Sequence, residues 1–101
     1  MKRPARVRVL GKRITIHYVA ADDKNLDGAL GISDPEQQRI FILDGLPLEN
    51  EQDTVLHEVL HIVEGSMGLD LDDIVIQKLA TGLLAVIKDS PGFVAYLRAS
   101  K

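Results

Sequence analysis

The chain has 101 residues, of which 46% are hydrophobic, with 15 acidic and 12 basic side chains and a formal net charge of −3. This length suits one compact domain over residues 1–101 and is too short for two, and the apolar fraction is typical of a globular rather than a disordered chain. A small negative net charge offers no general attraction to nucleic acid or to an anionic membrane, and we expect neither as a partner.

The first half of the chain carries the alternating pattern of β-strands. Apolar residues occupy alternate positions in residues 7–18 on either side of Gly11, which predicts a hairpin with one buried face. Residues 29–32 predict a short strand and residues 39–43 (RIFIL) a further one, with a turn at residues 33–36 between them. The sequence therefore predicts a small, mostly antiparallel sheet.

After residue 47 the apolar spacing becomes helical. A first helix is expected to have Asn50 as its N-cap and to end near Gly65, and its broad apolar coverage predicts burial on most sides. A second helix should run from residue 71 or 72 to residue 88, and residues 93–98 should form a short amphipathic turn. The second helix is expected to contribute core side chains, namely Leu79, Leu83, Leu84 and Ile87. The fold class is thus α+β.

The residues that carry chemistry lie in the first helix. His57 and His61 enclose Glu58 in the pattern H-E-x-x-H. At about 100° per residue, positions four apart lie within roughly 40° of each other, so both imidazoles can reach one ion. Imidazole nitrogens suit Zn2+, and Glu58 would stand beside the open position as general base on a zinc-bound water. Two structural histidines are the alternative, but ionisable groups in an apolar helix are costly to bury without a partner.

A catalytic zinc site needs a third protein ligand, and the absence of cysteine restricts it to His, Asp or Glu. The candidates are the carboxylates after the motif, Glu64, Asp70, Asp72 and Asp73. Glu64 shares the histidine face, but three ligands in a row on a straight helix cannot easily surround an ion, which leaves it to orient an imidazole or to face solvent. Asp73 is preferred because it shares a face of the second helix with Gln77, Ala80 and Leu84, and this face could point toward the helix that carries the histidines. Asp72 remains an alternative and a candidate N-cap.

Residues 53–61 (DTVLHEVLH), followed by residues 71–84 (LDDIVIQKLATGLL), resemble the ImmA/IrrE-like metallopeptidases, particularly the short stand-alone members found among phage proteins. The resemblance covers roughly residues 14–95 in the order of elements, and only the motif and the following helix are specific. It implies a minimal zincin fold, with an acidic third zinc ligand at the position that looks like Asp73. Glutamate is usual there, and Gln77 stands where similar short members often have glutamate. The metzincin pattern is absent, because Glu64 and Met67 occupy its glycine and ligand positions.

The resemblance also implies a substrate cleft between the sheet and the motif helix. Residues 39–43 would be the edge strand to which an extended peptide could add as a further strand, although an ordinary core strand is the alternative.

The function expected from the motif and the resemblance is zinc-dependent hydrolysis of peptide bonds. The substrate would be a peptide or protein, with a repressor-type regulator as one candidate. The alternative is a zinc-binding regulatory or interaction domain without turnover. The sequence shows neither a signal peptide nor an apolar stretch approaching roughly 18 residues, so we expect a cytoplasmic protein.

Overall fold

The computed structural model describes residues 2–101, whose four strands and three helices confirm the α+β class. In chain order the elements are β1 (Arg6–Val9), β2 (Lys12–Val19), β3 (Gly31–Asp34), β4 (Arg39–Leu43), α1 (Leu48–Ser66), α2 (Asp73–Asp89) and α3 (Pro91–Arg98). The strands form one sheet, and α1 packs across one of its faces. Among the helices formed by residues 2–101, none combines the length and the apolar character needed to span a bilayer.

The first two strands form the hairpin predicted from the alternating pattern. Leu10 and Gly11 make its two-residue turn with positive φ angles of 50° and 82°. A type I′ turn requires positive φ at both positions, and glycine adopts this conformation without steric cost. Val9 consequently pairs with Lys12 directly across the turn, and this pairing sets the register of both strands.

The sheet is mixed: two of its three strand pairings are antiparallel, in agreement with the prediction of a mostly antiparallel sheet, and the third is parallel. The strand order is β1-β2-β4-β3, with β4 parallel to β2 and antiparallel to β3. Residues 20–30, which include the fully buried Leu26, carry the chain to the far side of the sheet before β3 begins. β4 then returns by a hairpin and fills the space beside β2. Residues 39–43 therefore form the predicted strand, but this strand is internal, and the expectation that it lies at an edge was wrong. The two edge strands of the sheet are β1 and β3.

The main core lies between the sheet and α1. Ile14, Ile40 and Ile42 from the strands are fully buried, and Ile62 from α1 is 2% exposed. These β-branched side chains have the stiff rotamers that suit a pleated surface. Half-buried valines, four residues apart along α1, complete this contact: Val55, Val59 and Val63. One stripe of α1 thus holds the sheet and leaves its other sides for α2 and for the site.

The start of α1 differs from the prediction. Pro47, rather than Asn50, occupies the N-cap position, and its carbonyl oxygen accepts a hydrogen bond of 2.9 Å from the Glu51 N–H. Proline has no N–H of its own to leave unsatisfied, and its fixed φ suits a helix start. The expected burial on most sides is met only in part: residues 51–64 of this helix include no exposed position, but most of them are half-buried. The buried residues of α1 are Glu51, Glu58 and Ile62.

The second helix packs against α1 along a narrow stripe in which Ile76 and Ala80 are buried. Leu84 is half-buried, but the other residues predicted as core are not: the exposed fractions of Leu79, Leu83 and Ile87 are 46%, 42% and 46%. This prediction was wrong because no element of the described chain covers the outer side of α2. α3 contacts α2 alone and starts with Pro91, two residues before the predicted amphipathic turn.

Candidate metal centre

Two imidazoles project from the same side of α1, one helical turn apart. The Nε2 atoms of His57 and His61 are 2.9 Å apart, and their ring centroids are 4.8 Å apart with an interplanar angle of 34°. Their side chains are 18% and 24% exposed. The four-residue spacing of the motif therefore directs both ε nitrogens at one point, and a path to solvent remains.

The first residue of α2 brings a carboxylate to the same point. Asp73 Oδ1 lies 3.0 Å from His57 Nε2 and 2.7 Å from His61 Nε2. Residues 67–72 reverse the chain between the two helices, and Gly68 takes a positive φ of 69° within this turn. Asp72 lies at the N-cap of α2 without a side-chain capping bond, and it is not part of the group of donors that converges here. That group is His57, His61 and Asp73.

The donor set matches what zinc prefers. Two imidazole nitrogens and one carboxylate oxygen are a catalytic type of ligand set, and bonds of about 2.0–2.1 Å in a tetrahedron place neighbouring ligand atoms about 3.3 Å apart. The three separations of 2.7–3.0 Å are only a few tenths shorter. The Asp73 side chain is 70% exposed, so the fourth direction opens to water. The residues present therefore fit a zinc ion with one open position.

Glu64 provides an independent reason to expect a cation at this point. Its Oε1 lies 3.2 Å from His61 Nδ1, and its Oε2 accepts a hydrogen bond of 2.5 Å from the Leu71 N–H. An ionised carboxylate only accepts hydrogen bonds, so the His61 proton is assigned to Nδ1. In the neutral ring, Nε2 then carries a bare lone pair that faces the oxygen of Asp73. Only a proton or a metal ion between these atoms makes that approach favourable.

The protonation equilibria reflect the same arrangement. Hydrogen bonds with His57 and His61 lower the pKa of Asp73 below its ordinary value of 3.8. Burial alone would lower the pKa of His61, but hydrogen bonds to Asp73 and Glu64 outweigh it and raise the pKa above 6.5. Both pKa shifts indicate that these side chains together stabilise a positive charge between them. A divalent cation could supply this charge instead of the proton.

Glu58 lies next to this cluster and is buried, with an exposed fraction of 6%. Burial raises its pKa above 4.5, while the charges of His57 and His61 and a hydrogen bond from Ser33 act in the opposite direction. A Cβ atom added to Gly31 would lie only 3.2 Å from Glu58 Oε2, so β3 passes directly over this carboxylate. Glu58 is thereby held at the junction of α1 and β3.

A cleft of about 400 Å³ opens above Glu58, between β3 and α2. The residues that line it come from three parts of the fold: Ala29, Leu30, Gly31 and Ile32 from the start of β3 and the loop before it, Asp53, Thr54, His57 and Glu58 from α1, and Asp73 and Gln77 from α2. Because β3 pairs with β4 on one side only, its other edge forms a wall of this cleft.

Comparison of the chain with models of protein families, with curated protein sequences and with solved structures finds no match. The residues named from the sequence lie close together: the two histidines and Asp73 converge, and Glu58 and Glu64 adjoin them. Asp70 and Asp72 remain outside this group.

Several residues of the site were missed from the sequence. Gly31 and Ser33 approach Glu58 from β3, and Asp53 Oδ1 accepts a hydrogen bond of 3.0 Å from the Thr81 hydroxyl, which ties α1 to α2 beside the cleft. A glycine within a strand often marks a close approach of another element, so Gly31 carried a usable signal. The Asp53 and Ser33 contacts join residues distant in sequence and had no local signal.

Proposed function

We propose that this chain is a zinc-dependent metallopeptidase of the minimal zincin kind, and a short stand-alone member of the ImmA/IrrE-like group. One observation carries the proposal. Three donor atoms, from His57, His61 and Asp73, converge within 3.0 Å of one another, beside a buried carboxylate and at the base of an open cleft. A structural pair of histidines would not need the convergent carboxylate or the adjacent buried Glu58.

The position of each side chain suggests its role in the proposed reaction. The two histidines and Asp73 would hold the ion. When bound, zinc would act as a Lewis acid that lowers the pKa of a water molecule and polarises the carbonyl to be attacked. Glu58 would accept a proton from the attacking water and return it to the leaving amine. Its burial raises its pKa, which makes the carboxyl group better able to hold that proton between the two steps.

The free edge of β3 supports a peptide as substrate. An extended peptide that pairs with the backbone of Gly31–Asp34 would add a fifth strand to the sheet, about 4.8 Å from β3, and would lie in the cleft beside Glu58. Main-chain hydrogen bonds of this kind provide affinity without demanding one sequence. The cleft between β3 and α2 would then receive the side chains on either side of the scissile bond.

A zinc-binding interaction domain without turnover is the second candidate, and one observation favours it. Peptide hydrolysis is helped by a hydrogen-bond donor, besides the metal, aimed at the developing oxyanion. Among the described side chains that line the cleft, only the Gln77 amide offers a donor outside the ligand set, since the Thr54 hydroxyl is bound to the Asn50 carbonyl oxygen at 2.7 Å. A single amide donor would stabilise the oxyanion less than the two or more donors of a full oxyanion hole.

The test compares Glu58→Gln with the wild type on a library of unstructured peptides, using zinc-loaded protein. We expect the variant to keep one zinc per chain and the wild-type melting temperature, while cleavage falls by at least about 100-fold, as for loss of a general base. Glu49→Gln, an exposed change on the same helix, is the matched control and should cleave normally. Equal cleavage by Glu58→Gln and wild type would contradict the general-base role.

The metal itself is tested separately with His57→Ala. This variant should lose zinc in elemental analysis, and chelation should no longer lower its melting temperature, because metal binding and folding are coupled. Zinc binding by the wild type without cleavage of any peptide would favour the interaction domain. Full zinc retention by His57→Ala would contradict both candidates.

A further inference from the structure

The outer side of α2 and the adjacent α3 expose an apolar surface far from the cleft. On α2, the side chains of Val75, Leu79, Leu83 and Val86 are all between 40% and 46% exposed. At about 100° per residue these four lie within a sector of roughly 80°, whereas Asp73 and Gln77, which line the cleft, point away from that sector. The adjoining helix α3, which contacts α2, exposes Phe93, Tyr96 and Leu97.

The size of this surface matches what a stable protein interface requires. With Ile87 and the three residues of α3, eight large apolar side chains are about half exposed here, which amounts to on the order of 400 Å² at roughly 100 Å² per fully exposed side chain. Single exposed apolar residues are ordinary, but a contiguous patch of this size commonly marks an interaction site. Since apolar atoms supply about 60% of an interface, the patch corresponds to roughly 700 Å² per partner, close to the standard size of about 800 Å².

The charges beside the stripe indicate which partner fits. Lys78 and Asp89 lie on the same flank of the stripe, the flank that does not contact α1, and they stand near its two ends. When two copies of a helix pair antiparallel about a twofold axis, each flank faces the same flank of the partner running in the opposite direction. Lys78 of each copy would then face Asp89 of the other. A parallel pair would instead oppose like charges.

The apolar residues obey the same symmetry. With the axis between residues 82 and 83, Leu79 faces Val86 of the second copy, and Leu83 faces Gly82, whose missing side chain leaves room for it. A Cβ atom at Gly82 would meet nothing within 4 Å in the single chain, so this space is open. The register that pairs Lys78 with Asp89 therefore differs by only one residue on each helix from the register that interlocks the apolar side chains.

We propose that the chain forms a twofold dimer through antiparallel packing of α2 against α2 of a second copy, with α3 extending the contact at each end. The interface lies away from the candidate metal centre, so this proposal is independent of the proposed function. It explains why residues with the spacing of a helix core are exposed in the single chain.

The first test measures the mass of the 101-residue chain by light scattering and sedimentation between about 1 and 100 μM, a range in which an interface with a micromolar or lower dissociation constant is populated. We expect a dimer. Leu83→Glu and Val86→Glu should each raise the dissociation constant at least about 100-fold, because each buries a charge at the centre of the contact. Lys88→Glu, on the opposite side of α2, is the matched control and should remain dimeric. A wild type that is monomeric throughout this range would overturn the proposal, whatever other partner then covers the surface.

The second test examines the antiparallel register through a charge exchange. Lys78→Asp and Asp89→Lys should each raise the dissociation constant at least about tenfold, because each places like charges opposite one another. The double variant restores opposite charges and should dimerise like the wild type. If the double variant is no tighter than the single variants, the antiparallel arrangement is wrong. All variants should keep their circular dichroism spectra and their zinc content, since the changed residues are exposed and outside the metal centre.

Discussion

Replacing Gly31 with alanine is expected to destabilise the protein, because β3 crosses α1 at that residue with no room for a side chain. The added Cβ would lie 2.8 Å from Thr54 Cγ2 and 3.1 Å from Glu58 Cγ. Overpacking of this kind costs about 1–3 kcal/mol, partly offset by about 0.4–1 kcal/mol from the lower entropy of the unfolded chain. A net loss of about 1–2 kcal/mol should lower the melting temperature of a domain this size by about 5–15 °C.

Two further variants isolate the cause. Thr54→Ser removes the Cγ2 atom and keeps the hydroxyl that donates to the Asn50 carbonyl oxygen at 2.7 Å, so adding it to Gly31→Ala should restore most of the stability. Gly65→Ala is the matched control: a Cβ there meets nothing within 4 Å, and alanine in a helix should raise stability by about 0.5–1 kcal/mol. Differential scanning calorimetry measures all four proteins.

The outcome separates packing from catalysis. Thr54→Ser leaves the contact between the new Cβ and Glu58 in place, so the double variant should regain most of its melting temperature without regaining the cleavage proposed for the wild type. A Gly31→Ala protein as stable as wild type, or one that Thr54→Ser fails to relieve, would show that β3 does not approach α1 as closely as described.

Two other predictions concern the metal centre. Glu64→Gln should weaken zinc binding about 10–100-fold in competition with a chelator, because it removes the carboxylate that accepts a hydrogen bond from His61 Nδ1. Asp70→Asn lies outside the cluster and, as the control, should bind zinc with wild-type affinity. Equal zinc affinity of Glu64→Gln and the wild type would contradict this role of Glu64. In the metal-free protein the pKa of His61 is raised above 6.5, so the stability from its contacts with Asp73 and Glu64 is fully present below about pH 6.5 and is lost as the pH rises through the raised pKa. Zinc requires deprotonated ligands and should reverse this trend, so urea unfolding between pH 6 and 8 with chelator and with zinc should give opposite slopes.

Local features of the fold could be predicted from the sequence because their causes are local. The turn at Gly11, the alternation around it and the apolar run of residues 39–43 each depend on neighbouring residues, and the corresponding hairpin and strand form. The pairing of that strand depends on where residues 20–30 take the chain, which no short pattern encodes. A usable sign was present: Ile40, Phe41 and Ile42 form a continuous apolar run, which is typical of a strand buried on both faces and therefore internal.

The outer side of α2 shows a different limit. Helical periodicity reports how wide an apolar stripe is, but it does not report what covers the stripe. Ile76 and Ala80 are buried by α1, while Leu79 and Leu83 have the same character and no partner within the described chain. A pattern that extends beyond the intramolecular contact is what a helix with a second, intermolecular contact would show.

The proposed third ligand, Asp73, illustrates how geometry divides roles among similar carboxylates. Glu64 shares the face of the histidines, and for that reason it cannot complete a tetrahedron around an ion that both of them bind. Its two oxygens instead join His61 Nδ1 to the backbone N–H of Leu71, two residues before Asp73. One carboxylate thereby contacts His61 on α1 and also holds the turn that brings Asp73 of α2 to the histidines. The position of Glu64, three residues after His61, and the sharp turn after α1 thus act together, because both are needed for Asp73 to approach the histidines from outside their helix.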